Sequence, residues 1–265
     1  MQQASAQGTD DTVTAYDSYV ICTAPRSGST LLCKLLAATG VSGNPDSHFH
    51  RQSLEHWLAD LGVTPQPALS ELELVQLAFR AAIVEGTRGG MFGLRLQRHS
   101  FGFFIEKLAL LHPGYANDVE RFQAAFGRTL FIHLSRQDKV EEAVSLVKAE
   151  QTGLWHRAPD GTELERLSPP KEPVYDAAAI RVHLEEVTAY ERDWRQWFAS
   201  SGIDPLRLTY EELAADPVET LRVVLDRLGV GRQAADGVQP GVAKLADDTN
   251  RDWVARFRAE QLNPA

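Results

Sequence analysis

The stretch SYVICTAPRSGSTLLCKLL, residues 18–36, decides the fold. Its first seven residues are mostly apolar or β-branched, which is typical of a buried strand, and LLCKLL at 31–36 is typical of a helix. Between them, PRSGST at 25–30 combines a glycine, which permits a positive φ, with hydroxyl side chains and an arginine. Successive backbone N–H groups at the start of a helix form an anion-binding concavity. The stretch therefore predicts a strand, a loop that binds a phosphate-like group, and a helix. The predicted binding residues are Arg26, Ser27, Gly28, Ser29 and Thr30.

This loop differs from a Walker A motif. The pattern GxxxxGK[ST] would place a lysine directly before the hydroxyl residue, where this chain has Ser29. Without that lysine, and without a metal-binding aspartate at a strand end, a kinase or ATPase that needs Mg²⁺ is disfavoured, and no metal is expected. A P-loop-like phosphotransferase and a catalytically inactive nucleotide-binding protein remain alternative functions, and a plain turn with a serine cap is the alternative structure.

Strand and helix patterns alternate along the rest of the chain. Strands are predicted at 18–24, 90–96, 129–134 and 205–209, and helices at 29–38, 70–85, 139–151, 177–200 and 217–228. Ser70 and Glu73 form a capping-box pair at the start of the second helix. The alternation predicts an α/β fold with a P-loop-like parallel sheet flanked by helices, which binds its ligand at the carboxyl ends of the strands.

Two segments interrupt this alternation. Residues 152–173 are proline-rich, and we expect an irregular functional loop there. Residues 1–15 are rich in Gln, Ala, Ser, Thr and Asp and are expected to form a flexible tail. The remainder, 16–265, is predicted to be a single domain.

Composition excludes several classes of protein. The net charge of −9 argues against a general nucleic-acid or acidic-membrane surface, because both require a basic field. No basic residue precedes Arg26 and no run of about 18 apolar residues occurs, so we expect no signal peptide, no membrane span and a cytoplasmic location. Cys22 and Cys33 provide neither a disulfide framework nor a zinc site.

The loop at 25–32, PRSGSTLL, resembles the 5′-phosphosulfate-binding loop of sulfotransferases that use 3′-phosphoadenylyl sulfate (PAPS). Three further stretches strengthen the resemblance: FGLRL at 92–96, HLSRQDKVEEAVS at 133–145 and LTYEELAADP at 208–217. The similarity extends from about Tyr19 to Phe257, and within it the chain most resembles the bacterial trehalose 2-sulfotransferase family. This resemblance implies the sulfotransferase fold, PAPS as donor with adenosine 3′,5′-bisphosphate (PAP) as product, and no metal. It further implies in-line transfer to a hydroxyl of a carbohydrate or other small molecule, and a homodimer.

On the donor side, the resemblance implies that Arg136 and Ser145 bind the 3′-phosphate. A guanidinium can recognise a phosphate in a bidentate manner, although Arg136 could instead pair with a nearby carboxylate and Ser145 could simply pack. Tyr210 is expected either beside the adenine or in a packing role. Arg26 is assigned a catalytic role as well, since a cation neutralises charge at the leaving group.

On the acceptor side, the resemblance implies that the loop at 39–50 lines the site. It places Ser47 where relatives carry a glutamate that acts as catalytic base. A serine cannot be a base at neutral pH without help, so His48 is the first candidate, with His50 and Asp46 as alternatives. The alternative interpretation is that His48 is a surface-loop histidine without a catalytic role. Arg95 stands where the family usually has lysine. Trp57 matches a tryptophan beside the sugar, although a core position is the alternative. The predicted acceptor-binding residues are Asn44, Asp46, Ser47, His48, His50, Trp57 and Arg95.

Overall fold

The computed structural model describes residues 15–262 of the 265-residue chain. The flexible tail predicted at 1–15 lies outside the described residues except for Ala15. The backbone N–H of Ala15 donates to the carbonyl of Leu228 (3.1 Å).

A five-stranded sheet lies at the centre of the described residues. Its strands are β1 (Ser18–Thr23), β2 (Thr87–Arg88), β3 (Met91–Gln97), β4 (Thr129–Ser135) and β7 (Leu206–Thr209), in the order β2-β3-β1-β4-β7. All neighbours pair in parallel except β2 and β3, which are antiparallel. The four strands predicted from sequence are confirmed to within one residue at each end, and the predicted parallel sheet is confirmed with them.

Helices connect and cover the strands. They are α1 (Ser29–Ala38), α2 (Leu54–Asp60), α3 (Glu71–Gly86), α4 (Arg98–Leu111), α5 (Asp118–Phe126), α6 (Lys139–Thr152), α7 (Ala177–Ser200), α8 (Tyr210–Ala215), α9 (Pro217–Leu228) and α10 (Asp248–Leu262). A short 3₁₀ helix spans Arg232–Ala235. The predicted helices correspond to α1, α3, α6, α7 and α9, and the capping box of Ser70 and Glu73 is present at the start of α3. The sequence patterns did not predict the other helices.

The prediction of an irregular loop at 152–173 is wrong in part. Strands β5 (Leu154–Arg157) and β6 (Glu163–Arg166) form an antiparallel hairpin there. The prolines lie in the connecting turn and after β6, so they do not remove a donor from the two strands. The Ala158 N–H closes the turn by donating to the Thr162 carbonyl (2.8 Å).

The core lies on both faces of the sheet because alternate residues of β1 point to opposite sides. Val20 and Cys22 belong to an apolar cluster with α3, α4, α5 and α7, while Tyr19 and Ile21 pack with α1, α8 and α9. Both cysteines are buried and free. Within residues 15–262, no helix is long and apolar enough to cross a bilayer.

Because β1, β3, β4 and β7 are parallel, their carboxyl ends lie at one edge of the sheet. The predicted site residues follow the strands at this edge.

Candidate active site

The loop after β1 has the backbone geometry of an anion-binding concavity. Arg26 has φ 65° and Gly28 has φ 85°, and Gly28 is the residue that precedes α1. Among the described residues, no side chain caps the start of α1, so its first N–H groups are not satisfied by a serine cap. A Cβ at Gly28 would lie 2.7 Å from Cδ2 of Tyr210. Both the positive φ and the close approach therefore require glycine, as the sequence predicted.

The Ser27 side chain lies inside the loop. It is fully buried, and its hydroxyl donates to the Ala24 carbonyl (2.9 Å) and contacts the Thr23 hydroxyl. The expectation that Ser27 contributes a hydroxyl donor to a bound anion is corrected by this burial. Its backbone amide remains part of the loop.

Arg26 reaches from the loop to α6 and the hairpin. Its Nε donates to Oγ of Ser145 (3.0 Å), and its Nη1 donates to the Trp155 carbonyl (2.7 Å). Burial, together with the nearby Arg136 guanidinium, lowers the pKa of Arg26 to about 10. No carboxylate of residues 15–262 lies within ion-pair distance of it. Residues from the two predicted phosphate sites thus converge, and an anion between them would offset the repulsion of the two cations.

Arg136 lies directly after β4 with only 4% of its surface exposed. Its guanidinium carbon is 4.5 Å from the centroid of the Tyr210 ring, and Nη2 donates to Glu141 (2.6 Å). The Nε of Arg136 is buried and has no hydrogen-bond partner in the part of the chain that the structure describes. A buried donor without a partner is uncommon in a folded protein, and a bound phosphate would satisfy it. Tyr210 packs against both Arg136 and the glycine of the loop.

The loop at 39–50, the predicted acceptor loop, is held against β3 by backbone contacts. Asp46 forms a parallel bridge with Leu94, and the Arg95 N–H donates to the Asp46 carbonyl (3.1 Å). Gly43 has φ 81°, and a Cβ there would lie 2.9 Å from the backbone nitrogen of Gly93. The chain can approach β3 this closely only with glycine at 43. This attachment brings residues 46 and 47 to the edge of the sheet beside the donor loop.

Arg95 joins the two loops. Its Nε donates to Oγ of Ser47 (2.6 Å), and its Nη1 donates to Oγ1 of Thr30 (2.7 Å) and lies 3.5 Å from Oγ of Ser29. Its Nη2 pairs with Asp46 (3.3 Å). The Arg95 side chain is only 13% exposed, whereas that of Asp46 is 68% exposed, so solvent weakens the ion pair. The guanidinium is therefore a fixed cation between the predicted donor loop and the predicted acceptor loop.

The histidines of the acceptor loop are partly buried. Nε2 of His48 is buried and has no hydrogen-bond partner within residues 15–262. Burial lowers the pKa of both His48 and His50, so both imidazoles are neutral at pH 7. The His50 carbonyl lies 3.0 Å from Nε2 of His99. Asn44 donates from Nδ2 to the Glu85 carbonyl (3.1 Å), which ties the start of this loop to the end of α3.

Trp57 is a core residue. Its side chain is fully buried in α2, and its ring packs edge-on against Phe49 (4.7 Å between centroids). Its indole N–H donates to the Arg51 carbonyl (2.5 Å). Because no part of the ring is exposed, the prediction of a sugar contact at Trp57 is corrected to the alternative, a role in packing.

Sequence reasoning did not single out His156, which lies in β5 against the donor loop. Its Nε2 is 3.0 Å from Oγ1 of Thr30 and 3.4 Å from Oε2 of Glu165. Burial, followed by the nearby cations Arg26 and Arg95, lowers the pKa of His156 to about 3. The imidazole is therefore neutral. This histidine lies in the segment that was predicted to be an irregular loop. Only the hairpin of β5 and β6 brings it to the site.

The described residues hold no cluster of three or more histidine, cysteine or carboxylate side chains that could bind a metal. The loop from Arg26 to Thr30, three arginines and neutral histidines converge at this edge of the sheet.

Comparison with known proteins defines the class of enzyme. The profile of the Stf0 sulphotransferase family matches residues 18–260, which is nearly the whole chain. The chain therefore belongs to the Stf0 sulphotransferase family and is a sulfotransferase with the fold of that class.

Two similar relatives are trehalose 2-sulfotransferases. The one from Mycobacterium tuberculosis (strain ATCC 35801 / TMC 107 / Erdman) is 29% identical, with 91% of this chain and 94% of the relative covered. The one from Mycolicibacterium smegmatis (strain ATCC 700084 / mc(2)155) is 26% identical, with 92% and 95% covered.

Among solved structures, two sulfotransferases are similar at a low level. The sulfotransferase domain from the Synechococcus PCC 7002 olefin synthase has a TM-score of 0.46 and 15% identity, covering 93% of this chain and 89% of that one. The sulfotransferase from Alicyclobacillus acidocaldarius has a TM-score of 0.44 and 18% identity, covering 92% and 94%.

Proposed function

We propose that this sulfotransferase transfers the sulfuryl group from PAPS to a hydroxyl of a carbohydrate or another small molecule. The observation that carries the proposal is the position of Arg95, which hydrogen-bonds to both Thr30 in the donor loop and Ser47 in the acceptor loop. A transfer enzyme needs donor and acceptor groups in contact, and a shared cation at that point stabilises the charge on the group in transit.

The residues at the site fit the phosphate groups of PAPS. The loop from Arg26 to Thr30, with its uncapped helix start, would hold the 5′-phosphosulfate. Arg136 and Ser145 would hold the 3′-phosphate, and the partnerless Nε of Arg136 supports this assignment. Tyr210, which packs beside both groups of residues, would lie by the adenine. When bound, PAPS would supply the sulfuryl group.

Each side chain then has a defined task. Arg26 neutralises the negative charge that develops on the phosphate side of the reaction, and Arg95 does so on the acceptor side. Asp46 orients Arg95 through its carboxylate and its backbone carbonyl. Asn44 and His50 shape the acceptor loop. The Ser47 hydroxyl accepts a hydrogen bond from Arg95, and we assign it to holding that guanidinium in place and not to the role of base.

We propose His48 as the base that accepts the proton of the acceptor hydroxyl. Its pKa is lowered by burial, so the imidazole is neutral and able to accept a proton at pH 7. Its buried Nε2 has no hydrogen-bond partner among residues 15–262, so this nitrogen is not already engaged by another group. His156 is the competing candidate, but its Nε2 is already occupied by Thr30 and it lies among cations that disfavour protonation.

The acceptor is proposed to be a carbohydrate because two relatives are trehalose 2-sulfotransferases. Trehalose itself is not carried over, because the serine at 47 changes the acceptor loop at the position where the family is expected to have its base. We further propose that residues 16–265 act as one sulfotransferase domain, that the enzyme is cytoplasmic, and that it functions as a homodimer.

The proposal is tested by incubating the enzyme with ³⁵S-labelled PAPS and a crude metabolite extract. We expect labelled product with the wild type and strongly reduced labelling with His48→Ala. His56→Ala is the matched control, since His56 is an exposed histidine on α2. If no extract yields a labelled product although the protein binds PAP, the alternative of a catalytically inactive nucleotide-binding protein replaces the proposal.

A further inference from the structure

A cavity of about 250 Å³ opens beside the donor site. One wall is the face of α6 that carries Ser145, Lys148 and Thr152, and the hairpin of β5 and β6 contributes Arg157 and Arg166. The remaining walls come from residues 170–173 and from Leu245 and Asn250 near the start of α10. Only Arg26 and Ser145 are shared with the proposed donor site.

The lining of this cavity has an excess of positive charge. Its cations are Arg26, Lys148, Arg157, Arg166 and Lys171, and its only carboxylate among the described lining residues is Glu172. This concentration is unusual in a chain with a net charge of −9. Such a cavity favours an anion over a neutral or cationic ligand.

Two of these cations are already neutralised and three are not. Lys148 pairs with Asp247 (2.6 Å), and Arg166 pairs with Glu163 through two nitrogens. Within residues 15–262, no carboxylate lies at ion-pair distance from Arg26, Arg157 or Lys171. 

The Nε of Arg157 gives a second indication of a ligand. This atom is buried and has no hydrogen-bond partner among the described residues. The backbone of the same residue is held in place, because the Arg157 carbonyl accepts a hydrogen bond from the Ala243 N–H (2.8 Å). An oxyanion in the cavity would provide the missing acceptor, because a guanidinium binds phosphate, sulfate or carboxylate through directed hydrogen bonds.

The cavity adjoins the donor's proposed phosphate sites at Arg26 and Ser145 and extends away from them along α6. Ser145, Lys148 and Thr152 follow one another at helical spacing, so the cavity continues along α6 for roughly 5–10 Å beyond Ser145 at 1.5 Å per residue. Arg136, the other proposed ligand of the 3′-phosphate, does not line it.

We propose that this cavity is a second anion site, which binds the phosphate, sulfate or carboxylate group of a small molecule other than the donor nucleotide. Arg157 and Lys171 are its principal ligands. Arg26 forms the boundary with the donor site, so occupation of the two sites is electrostatically linked. The inference rests on the proposed function only for the naming of the donor site; the cavity and its charge do not depend on it.

Calorimetric titration with sodium sulfate at constant ionic strength tests the site. The titration is done on protein saturated with PAP and on protein without it. We expect sulfate to bind in both cases, and Arg157→Gln and Lys171→Gln each to weaken that binding about tenfold or more. Arg227→Gln is the matched control, because Arg227 is exposed on α9 and does not line the cavity. Lys171 is also exposed, so we expect its substitution to leave the stability of the fold unchanged.

Three results would overturn the proposal: no sulfate binding to the wild type, an equal loss in the Arg227 variant, or a loss of PAP affinity in Arg157→Gln without a loss for sulfate. The last result would assign the cavity to the donor nucleotide. Failure of the wild type to bind PAP would instead contradict the proposed function and leave the sulfate titration interpretable.

The labelled-PAPS assay distinguishes the sources of the anion. If the anion belongs to the acceptor, the wild type labels an extract fraction retained on an anion exchanger, and Arg157→Gln labels that fraction much more slowly. If it is a free anion, both proteins label the same products, and added sulfate changes only the wild-type rate.

Discussion

Replacement of Arg136 by alanine should weaken PAP binding by about 1.5–3 kcal/mol, which is roughly 10- to 150-fold in Kd. This range applies to a hydrogen bond with a charged group. Arg136 is 4% exposed and its Nε has no partner among the described residues, so a bound phosphate would gain a desolvated, directed donor. 

The other contacts of Arg136 determine how much the substitution lowers the stability of the folded protein. Its partner Glu141 has a side chain that is 48% exposed, so water replaces the guanidinium there at little cost. The contact with the Tyr210 ring contributes about 0.5–2 kcal/mol to the folded protein and would appear as a lower melting temperature. The change in affinity and the change in stability are therefore measured separately.

The assay is calorimetry with PAP and, in parallel, with adenosine 5′-monophosphate, which lacks the 3′-phosphate. We expect Arg136→Ala to lose affinity for PAP and to retain that for the monophosphate, while Arg136→Lys recovers only part of the loss. Arg227→Ala on the surface is the control. Unchanged PAP affinity, or an equal loss for both nucleotides, would refute the assignment of Arg136 to the 3′-phosphate.

The other predictions concern catalysis, backbone geometry and pH. His48→Ala should lower turnover by about 10²- to 10⁴-fold, the contribution of a general base, with PAP affinity unchanged by calorimetry; full turnover would transfer the role to another residue. Because burial lowers the pKa of His48 below its usual value near 6.5, the base stays unprotonated until the pH falls through that lowered pKa. The acid limb of the kcat profile should consequently lie below pH 6.5, and a limb above that value would contradict the assignment. Arg95→Gln should slow transfer by about 10²-fold in a labelled-PAPS assay, with partial recovery in Arg95→Lys; an unimpaired Arg95→Gln enzyme would remove the shared cation from the mechanism. Gly28→Ala should cost about 1–2 kcal/mol of stability from its positive φ and should further disturb Tyr210, whereas Gly114→Ala, with no atom within 4 Å of its Cβ, should melt like the wild type. Equal melting temperatures for the two variants would contradict this account of the loop.

The donor loop and the sheet could be predicted because their signals are local. The run of residues 18–24 is apolar enough to define a buried strand, and Gly28 marks the turn into the helix. Arg26 and Ser145 are 119 residues apart in sequence, yet their contact follows from the parallel order of β1 and β4. Strand order places both loops at one edge of the sheet, which is the general rule for such folds.

The acceptor side could not be predicted to the same depth because its contacts are long-range. The role of Arg95 depends on the bridge between Asp46 and Leu94, which no sequence pattern indicates. Trp57 matched a family position but lies in the core. The sequence did not decide between the two, because helical periodicity alone does not say which face of α2 is covered. His156 entered the site only through the hairpin, whose short strands were obscured by the surrounding prolines.

The central claim is that the site takes a nucleotide with phosphates at both the 5′ and 3′ positions, without a metal. Its most direct test is calorimetry of the wild-type protein with PAP and with ATP in the presence of Mg²⁺. The account predicts tight binding of PAP and little or no binding of ATP, because Arg136 and Ser145 are proposed to hold the 3′-phosphate and Ser29 stands where a Walker lysine would be. Tight binding of ATP with none of PAP would contradict it.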